Sequence, residues 1–425
     1  MLEIKASSSS SSTRKRSNQM KYIDRLLQAA PVEWCTLGEV AEYEQPTKYL
    51  VKSTNYKDSF PTPVLTAGKS FILGYTDEID GIYKASESPV IIFDDFTTAN
   101  KWVDFDFKAK SSAMKMITSK DPSKFSLRYI YHWLNTLPSG LVESDHKRQW
   151  ISNYSKKKIP IPPVAVQEEV VRVLDKFTAL EAELEAELDC RKRQYQYYRD
   201  ALLTFDLSPS DGLCYSPLFP APFAVEWLPL GEVFEMRNGY TPSKSNPAYW
   251  EGGTIPWFRM EDLRTSGRIL EDSIQHITLE AVKGKGLFKA GSILMATTAT
   301  IGEHALLVTD SLANQRFTNF EIHESLLGAI TPMFAYYYFF LICEWCKRNV
   351  YESSFPSVDM KSLREVHFPI PPLAVQERIV EILDKFDTLV NSISEGLPRE
   401  IELRRKQYEY YRDALLSFEP QTSNF

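Results

Sequence analysis

The chain has 425 residues, 43% hydrophobic and 25% charged, with 49 Lys and Arg against 56 Asp and Glu for a formal net charge of −7. That length divides into about two to four domains, and the composition excludes both wholesale disorder and a membrane protein. The acidic balance argues against a protein that simply coats nucleic acid, because such affinity comes from neutralising phosphates.

In chain order, residues 1–20 carry the run Ser7 to Ser12 followed by Arg14-Lys15-Arg16, read as a disordered tail, with a basic arm touching phosphates as the alternative. Residues 21–158 form a first variable block behind a short leading helix at Tyr22-Ile-Asp-Arg-Leu-Leu27. The block opens on Val32-Glu-Trp-Cys-Thr-Leu-Gly-Glu-Val40 and closes with an apolar, helix-like stretch from Phe125 to Leu137. Residues 159–207 begin with Ile159-Pro-Ile-Pro-Pro-Val-Ala-Val-Gln-Glu168, whose prolines stop whatever precedes them. Beyond lies a stripe at Val166, Val170, Val173, Phe177, Leu180, Leu184 and Leu188, continued by Tyr195, Tyr198, Leu202 and Phe205. Steps of three and four predict one helix from about Val166 to Phe205, roughly 60 Å long. Within it Leu180-Glu-Ala-Glu and Leu184-Glu-Ala-Glu repeat before Leu188, either a solvated helical filler or a length-setting element.

Residues 208–367 form a second variable block, which opens on Val225-Glu-Trp-Leu-Pro-Leu-Gly-Glu-Val233 and closes with the apolar run Pro332 to Lys347. Its most apolar part, Met333 to Cys343, is too short to span a bilayer and predicts a core helix. Residues 368–419 open on Phe368-Pro-Ile-Pro-Pro-Leu-Ala-Val-Gln-Glu377, the earlier motif again 209 residues later, and a short tail covers 420–425. Leu174-Asp-Lys-Phe177 returns as Leu383-Asp-Lys-Phe386, and Tyr197-Tyr-Arg-Asp-Ala-Leu-Leu203 as Tyr410-Tyr-Arg-Asp-Ala-Leu-Leu416. The second stripe, Ile379, Phe386, Ile393, Tyr408 and Leu415, offers the first helix a partner for a coiled coil. Gly396-Leu397-Pro398 interrupts the second helix, since proline removes a helical hydrogen bond. Tyr22 to Leu27 repeats the end of the same helix, so the order is tail, block, helix, block, helix: a circular arrangement with pseudo-twofold symmetry.

Recognisable catalytic signatures are missing. Ala67-Gly68-Lys69-Ser70 ends like a phosphate-binding loop, but Pro63 stands where its first glycine belongs, and Lys289 replaces the third glycine expected after Gly284-Lys285-Gly286. Five cysteines, Cys35, Cys190, Cys214, Cys343 and Cys346, without a signal peptide read as reduced thiols in a cytoplasmic protein. The Cys343/Cys346 pair lacks a second pair at ligand spacing, so buried helix cysteines are favoured over a metal site.

These repeats resemble the specificity subunit of type I restriction-modification systems. The residues that carry the resemblance are the paired Pro-Ile-Pro-Pro-x-Ala-Val-Gln-Glu openings at Pro160 and Pro369, the Leu-Asp-Lys-Phe continuations, both Tyr-Tyr-Arg-Asp-Ala-Leu-Leu endings and both Trp-x-x-Leu-Gly-Glu-Val starts. Asn238 to Lys244 with Ile255-Pro-Trp257, and Pro63 to Ser70, are similar to openings of target-recognition domains. The resemblance implies an α+β protein with two mixed α/β target-recognition domains joined by a long antiparallel two-helix coiled coil. It implies no catalysis and no cofactor in this chain. Partners would be double-stranded DNA, two modification (methyltransferase) subunits and restriction (helicase-nuclease) subunits, the partner chains using S-adenosylmethionine, ATP and Mg. Each block would read half of a bipartite, asymmetric site. The alternatives are the recognition subunit of a type IIB-like enzyme and a coiled-coil scaffold that binds only proteins.

Base edges call for Arg, Lys, Asn and Gln, and phosphates for Lys, Arg, Ser and Thr. Block one offers Lys69, Ser70, Tyr75, Lys101, Lys110 and the run His146, Lys147, Arg148, Gln149. Block two offers Arg237, Asn238, Tyr240, Thr241, Ser243, Lys244, Arg259, Thr297, Thr298, Asn314, Gln315 and Arg316. The helix interface is expected to use Val170, Phe177, Leu184, Leu188, Tyr195, Leu202, Ile379, Phe386, Ile393, Tyr408 and Leu415. Trp34, Trp227, Pro160 and Pro369 repeat in register and read as structural.

Overall fold

A computed structural model describes residues 31–67, 70–138, 148–216, 218–219, 221–351, 356–392 and 394–418. The tails at 1–20 and 420–425, the leading helix copy at Tyr22 to Leu27, and the candidates Lys69, His146, Lys147 and Ile393 lie outside the described residues. Five helices of eight or more residues occur among the described residues: Leu127–Leu134 (α1), Val164–Leu203 (α2), Pro332–Arg348 (α3), Leu373–Asn391 (α4) and Leu397–Leu416 (α5). Contacts sort the chain into two units, Met1–Glu185 with Glu400–Phe425, and Ala186–Arg399. The repeated helices therefore make no third body; the first half of α2 and most of α5 belong to one unit, the second half of α2 and all of α4 to the other.

Unit one contains strands Glu33–Thr36 (β1), Ala41–Glu44 (β2), Thr62–Leu65 (β3), Ile72–Thr76 (β4), Val90–Asp94 (β5), Asn100–Val103 (β6), Lys108–Ala109 (β7), Met114–Ser119 (β8) and Lys158–Ile161 (β9). They form a β2-β8-β5-β6 sheet, a β4-β3-β7 sheet and the antiparallel pair β1-β9. Unit two contains Glu226–Pro229 (β10), Phe234–Asn238 (β11), Ile255–Phe258 (β12), Ile269–Leu270 (β13), His276–Ile277 (β14), Ile293–Ala296 (β15), His304–Leu307 (β16), Leu312–Ala313 (β17), Phe317–Ile322 (β18), Val350–Tyr351 (β19), Ser357–Val358 (β20) and His367–Ile370 (β21). Its sheets are β11-β18-β15-β16-β13, β14-β12-β17, β10-β21 and β19-β20. Both units thus share one plan, down to a parallel β3-β7 pair in one and a parallel β12-β17 pair in the other. The two blocks, unlike in sequence through their middles, are alike in topology.

The repeated motifs explain themselves in this frame. Trp34 pairs with Pro160 and Trp227 with Pro369 across β1-β9 and β10-β21, so both prolines sit on edges, where a missing N–H is tolerated. The glutamine of each Ala-Val-Gln-Glu motif is fully buried. Gln167 accepts from Ser126 N at 2.9 Å and donates to the carbonyls of Lys124 at 2.9 Å and Pro162 at 2.8 Å. Gln376 repeats the pattern with Thr331 N at 2.9 Å, Ala329 O at 2.7 Å and Pro371 O at 2.8 Å. Each amide therefore ties the start of the repeated helix to the entry of its block's apolar helix. Two turns further on, the aspartate of Leu-Asp-Lys-Phe does the same from the side. Asp175 takes Arg128 Nε and His132 Nε2, both at 2.8 Å, while Asp384 takes Arg268 at 3.0 Å and the Tyr337 hydroxyl at 2.6 Å.

The stripe expected to pair with the other helix is divided between two jobs. In unit one, Val170, Val173 and Leu174 share a core with Tyr129, Ile130 and Trp133 of the block and with Tyr411 and Leu415 of α5. Phe177 stacks on Tyr411 at 5.1 Å, and Arg405 bridges Glu181 and Glu185, so α2 and α5 run antiparallel. Half-buried Tyr408 meets His132 of α1 at 3.1 Å, and Leu184 is half-buried. In unit two, Tyr195, Leu202 and Ile379 are buried, and Leu188 and Phe386 pack against their cluster. Tyr195 and Tyr198 both stack on Phe386. The block helices α1 and α3 are apolar on the facing side, which is why the stripe is wider than a two-helix seam requires. The second copy breaks between Asn391 and Leu397. A Cβ on Gly396 would lie 2.3 Å from Thr388 O, and Pro398 falls in the first turn of α5, where its missing donor costs nothing.

Among the described residues no helix is long and apolar enough to cross a membrane. Cys343 and Cys346 are buried in α3, Cys343 lying 3.2 Å from His304 Nδ1 and 3.5 Å from Met295 Sδ. Burial pushes the Cys346 thiol up to about 12, and the Cys343 thiol well above its ordinary value.

Candidate nucleic-acid interface

In unit two the sequence candidates converge where β15 ends. Thr297 N donates to Arg316 O at 3.0 Å, and Thr297 O accepts from Val358 N at 3.0 Å. One residue thereby fastens three chain segments together. The buried Thr297 hydroxyl meets Thr318 Oγ1 at 2.9 Å, which donates to Asn238 Oδ1 at 2.9 Å and brings in the end of β11. The residue after Asn238 must be glycine, because a Cβ on Gly239 would lie 2.3 Å from Asn314 O and 2.4 Å from Ala313 O. Thr241 then hydrogen-bonds Gln315 at 2.6 Å. Around this junction Gln315, Arg316, Ser243 and Lys244 are exposed, Asn314 and Thr298 half-exposed. Asn314 Oδ1 accepts from Arg316 N at 3.0 Å and fixes the turn that carries them.

Three candidates in this block are spent inside the domain. Arg237 reaches the carbonyls of Lys285 (3.2 Å), Gly286 (3.4 Å) and Leu287 (2.8 Å), pairs with Glu321 at 3.2 Å and lies 5.1 Å from the Phe288 ring. Tyr240 donates to Ala281 O at 3.0 Å and accepts from Lys283 N at 2.8 Å. Arg259 precedes the short helix Met260–Ser266 and pairs with Glu261 at 3.1 Å. All three have the chemistry of a base or phosphate contact, yet Arg237 and Tyr240 bond to loop backbone and Arg259 pairs within the helix that follows it.

Unit one builds the same junction from other residues. Where β5 ends, Asp95 N donates to Ala113 O at 3.3 Å and Asp95 O accepts from Gln149 N at 2.9 Å, as Thr297 does with Arg316 and Val358. Its carboxylate adds a bond from Trp150 N at 2.9 Å. Where unit two has a chain of hydroxyls beneath the junction, unit one has a fully buried ion pair. Lys115 Nζ stands 3.5 Å from Asp95 Oδ2, too long for a hydrogen bond, and 4.9 Å from the Tyr43 ring centroid. Exposed Arg148 and half-exposed Gln149 are seated here through Asp95, and Lys101 and Lys110 are exposed nearby along the chain, Lys110 donating to the Tyr56 hydroxyl at 3.1 Å. Ser70 and Tyr75 belong instead to the β3-β4 hairpin. Ser70 O accepts from Thr66 Oγ1 at 2.7 Å, and Tyr75 O from Lys57 N at 3.1 Å.

The sequence reading missed Asp95, Lys115 and Phe96. Its available signal was the apolar run Val90 to Phe93 followed by Asp94-Asp-Phe-Thr-Thr98, a strand ending in side chains that bond to their own backbone. Among the described residues no group of three or more His, Cys, Asp or Glu could hold a metal ion.

Comparison with known proteins is consistent in direction. A family profile described as "Type I restriction modification DNA specificity domain" matches twice, over residues 31–189 and 224–403. The chain is 52% identical over 426 aligned positions to the EcoR124I/EcoR124II type I restriction enzyme specificity subunit of Escherichia coli, covering 95% of this chain and 99% of that one. It is 29% identical to a putative specificity subunit of Haemophilus influenzae across 94% of this chain and 99% of that one. Among solved structures, the type I S subunit of M. genitalium superposes with a TM-score of 0.53 at 14% identity, over 92% of this chain and 98% of that one. A chain from a type I restriction-modification system, solved to describe complex assembly and conformational transition, gives 0.55 at 20% identity, over 92% of this chain and 99% of that one.

Proposed function

The chain belongs to the type I restriction-modification DNA specificity family, and from that premise we propose that it is the subunit that reads DNA for a modification and restriction complex. Each unit reads one short half-site with the loops gathered at its junction, Asp95 in one and Thr297 in the other, and the paired repeated helices set the unread gap. The single observation that carries this reading is the double junction: two unlike sequences built to the same main-chain plan, each presenting a different set of exposed polar side chains. Two different reading surfaces imply an asymmetric, bipartite target.

The chain performs no chemistry. Methyl transfer with S-adenosylmethionine belongs to two modification subunits, and ATP- and Mg-dependent translocation and cleavage to restriction subunits. The net charge of −7 accords with a protein that grips DNA only when its partners enclose the duplex, and much of the acidity, as at Glu181, Glu183, Glu185 and Glu187, lies along α2.

The test is to produce the chain with its modification subunits and map methylation across a genome. One bipartite motif is expected, and none from the modification subunits without this chain. If no motif appears, or it appears without this chain, the reading fails.

A further inference from the structure

Every sequence candidate for DNA contact is polar or a tyrosine, yet the unit one junction loop also exposes a phenylalanine. Phe96 is 48% exposed, two residues past the end of β5. Surface loops carry exposed aromatic rings often enough, but this one is held in place by its neighbours on either side. Asp94 Oδ1 accepts from Phe96 N at 2.9 Å and from Thr97 N at 3.2 Å, which fixes the turn under the ring. Thr98 N closes the loop onto Asp94 O at 2.9 Å, and Thr98 adopts φ +64°, a strained conformation for a β-branched residue. Next to it, Asp95 is buried, anchored to Ala113, Gln149 and Trp150 and neutralised by Lys115. The ring is thus an exposed apolar tip on a hydrogen-bonded turn, one residue from the Asp95 that seats Gln149.

The second unit supports this independently. Counted from the end of the equivalent strand, Phe96 stands where Thr298 stands, two residues past Ala296 of β15. Thr298 is a candidate DNA contact by its chemistry alone. The loop there also passes through a left-handed residue, Ala299 at φ +67°. Both loops therefore present one side chain at the same station, a threonine in one unit and a phenylalanine in the other.

We propose that Phe96 is a specificity-determining residue of unit one, packing against the 5-methyl group of a thymine in the major groove. The proposal rests on the DNA-reading function given above. Apolar contact with that methyl distinguishes thymine from cytosine, which presents an amino donor and no methyl at the corresponding edge. Phe96 supplies no hydrogen bond, so it selects one A·T pair without governing the pairs on either side.

The assembled complex with its modification subunits is the test system, and methylation mapping first defines the wild-type motif. With Phe96→Ala, one thymine position of a single half-site should become degenerate, the other half-site and the gap staying as they were. Phe96→Leu, which keeps an apolar tip, should retain the preference. Arg316→Ala should alter the opposite half-site. On a duplex with deoxyuridine at the chosen position, wild-type affinity should fall about fourfold, the factor carried by one buried methyl group, and that of the Phe96→Ala complex should not. An unchanged motif for Phe96→Ala, a change in the half-site that Arg316→Ala alters, or equal sensitivity of both proteins to deoxyuridine would each overturn the proposal. A wild-type complex with no bipartite motif would sink the function itself, a distinct result.

Discussion

Replacing Gln376 by methionine keeps the length of the side chain and removes its polar end. Three backbone groups lose their partner: Thr331 N–H, Ala329 C=O and Pro371 C=O. A buried polar group left unpaired costs about 1–3 kcal/mol. The Thr331 and Ala329 groups are partly reached by solvent, so about 1 kcal/mol each is appropriate, and about 2 kcal/mol for the enclosed Pro371 carbonyl. The sum, about 4 kcal/mol, is large against the whole stability of an ordinary domain. Hydrogen exchange followed by mass spectrometry reads it locally. Peptides containing Thr331 should exchange roughly a thousandfold faster than in the wild type, at about 1.4 kcal/mol per factor of ten. Peptides containing Ser126, held by Gln167 in the other unit, serve as the internal reference and should not change. Acceleration of less than tenfold at Thr331, or equal acceleration at Ser126, would refute the role given to this amide.

Three further outcomes are expected. His304 is half-buried, packed against Tyr336, Phe339 and Phe340, and desolvation there pulls its pKa down from 6.5 to about 4. The unfolded chain gains a proton here as pH drops below 6.5 before the folded one does, so this group's contribution to unit two, at most about 3 kcal/mol, is complete above that pH and lost on the way down to pH 4. Urea midpoints across that range should fall less steeply for His304→Gln, and identical slopes would count against the desolvated neutral imidazole. Deleting the four residues Glu181 to Leu184 shortens α2 by about 6 Å and turns the rest of the helix by about 40°. Methylation mapping should report a different gap between unchanged half-sites; altered half-sites would contradict the spacer role. Arg237→Ala should leave the methylated motif intact but speed proteolysis at the loop of Lys285 to Leu287, whereas a relaxed motif would restore it as a base contact.

The sequence announced its architecture through identity: Pro160 and Pro369, Gln167 and Gln376, Asp175 and Asp384 are identical pairs in identical roles, so comparing the chain with itself found them. It could not announce the junctions. Asp95 and Thr297 share no side-chain chemistry, and the bonds that make them equivalent run through main-chain N–H and C=O groups, which every residue but proline carries. Residue type could not show where the side chains of Arg237 and Tyr240 bond for a related reason, since a guanidinium suited to guanine is equally suited to three loop carbonyls. Phe96 carries no hydrogen-bonding side chain, so the chemistry of base edges and phosphates does not single it out. The helix stripe was legible as a stripe, but its division between partner helix and block core depended on where α1 and α3 would lie.

The division of the chain into Ala186–Arg399 and its two flanking pieces has a consequence for synthesis. Unit two is contiguous and can complete its core as soon as it leaves the ribosome. Unit one has to wait for Tyr408, Tyr411 and Leu415, which close the core around Val170, Val173 and Phe177. At ordinary translation rates of about 5–20 residues per second, that interval lasts about 10–50 s. During it the first half of α2 carries an uncovered apolar flank, and a nascent chain interrupted before Glu400 would hold one finished reader and one unsealed one.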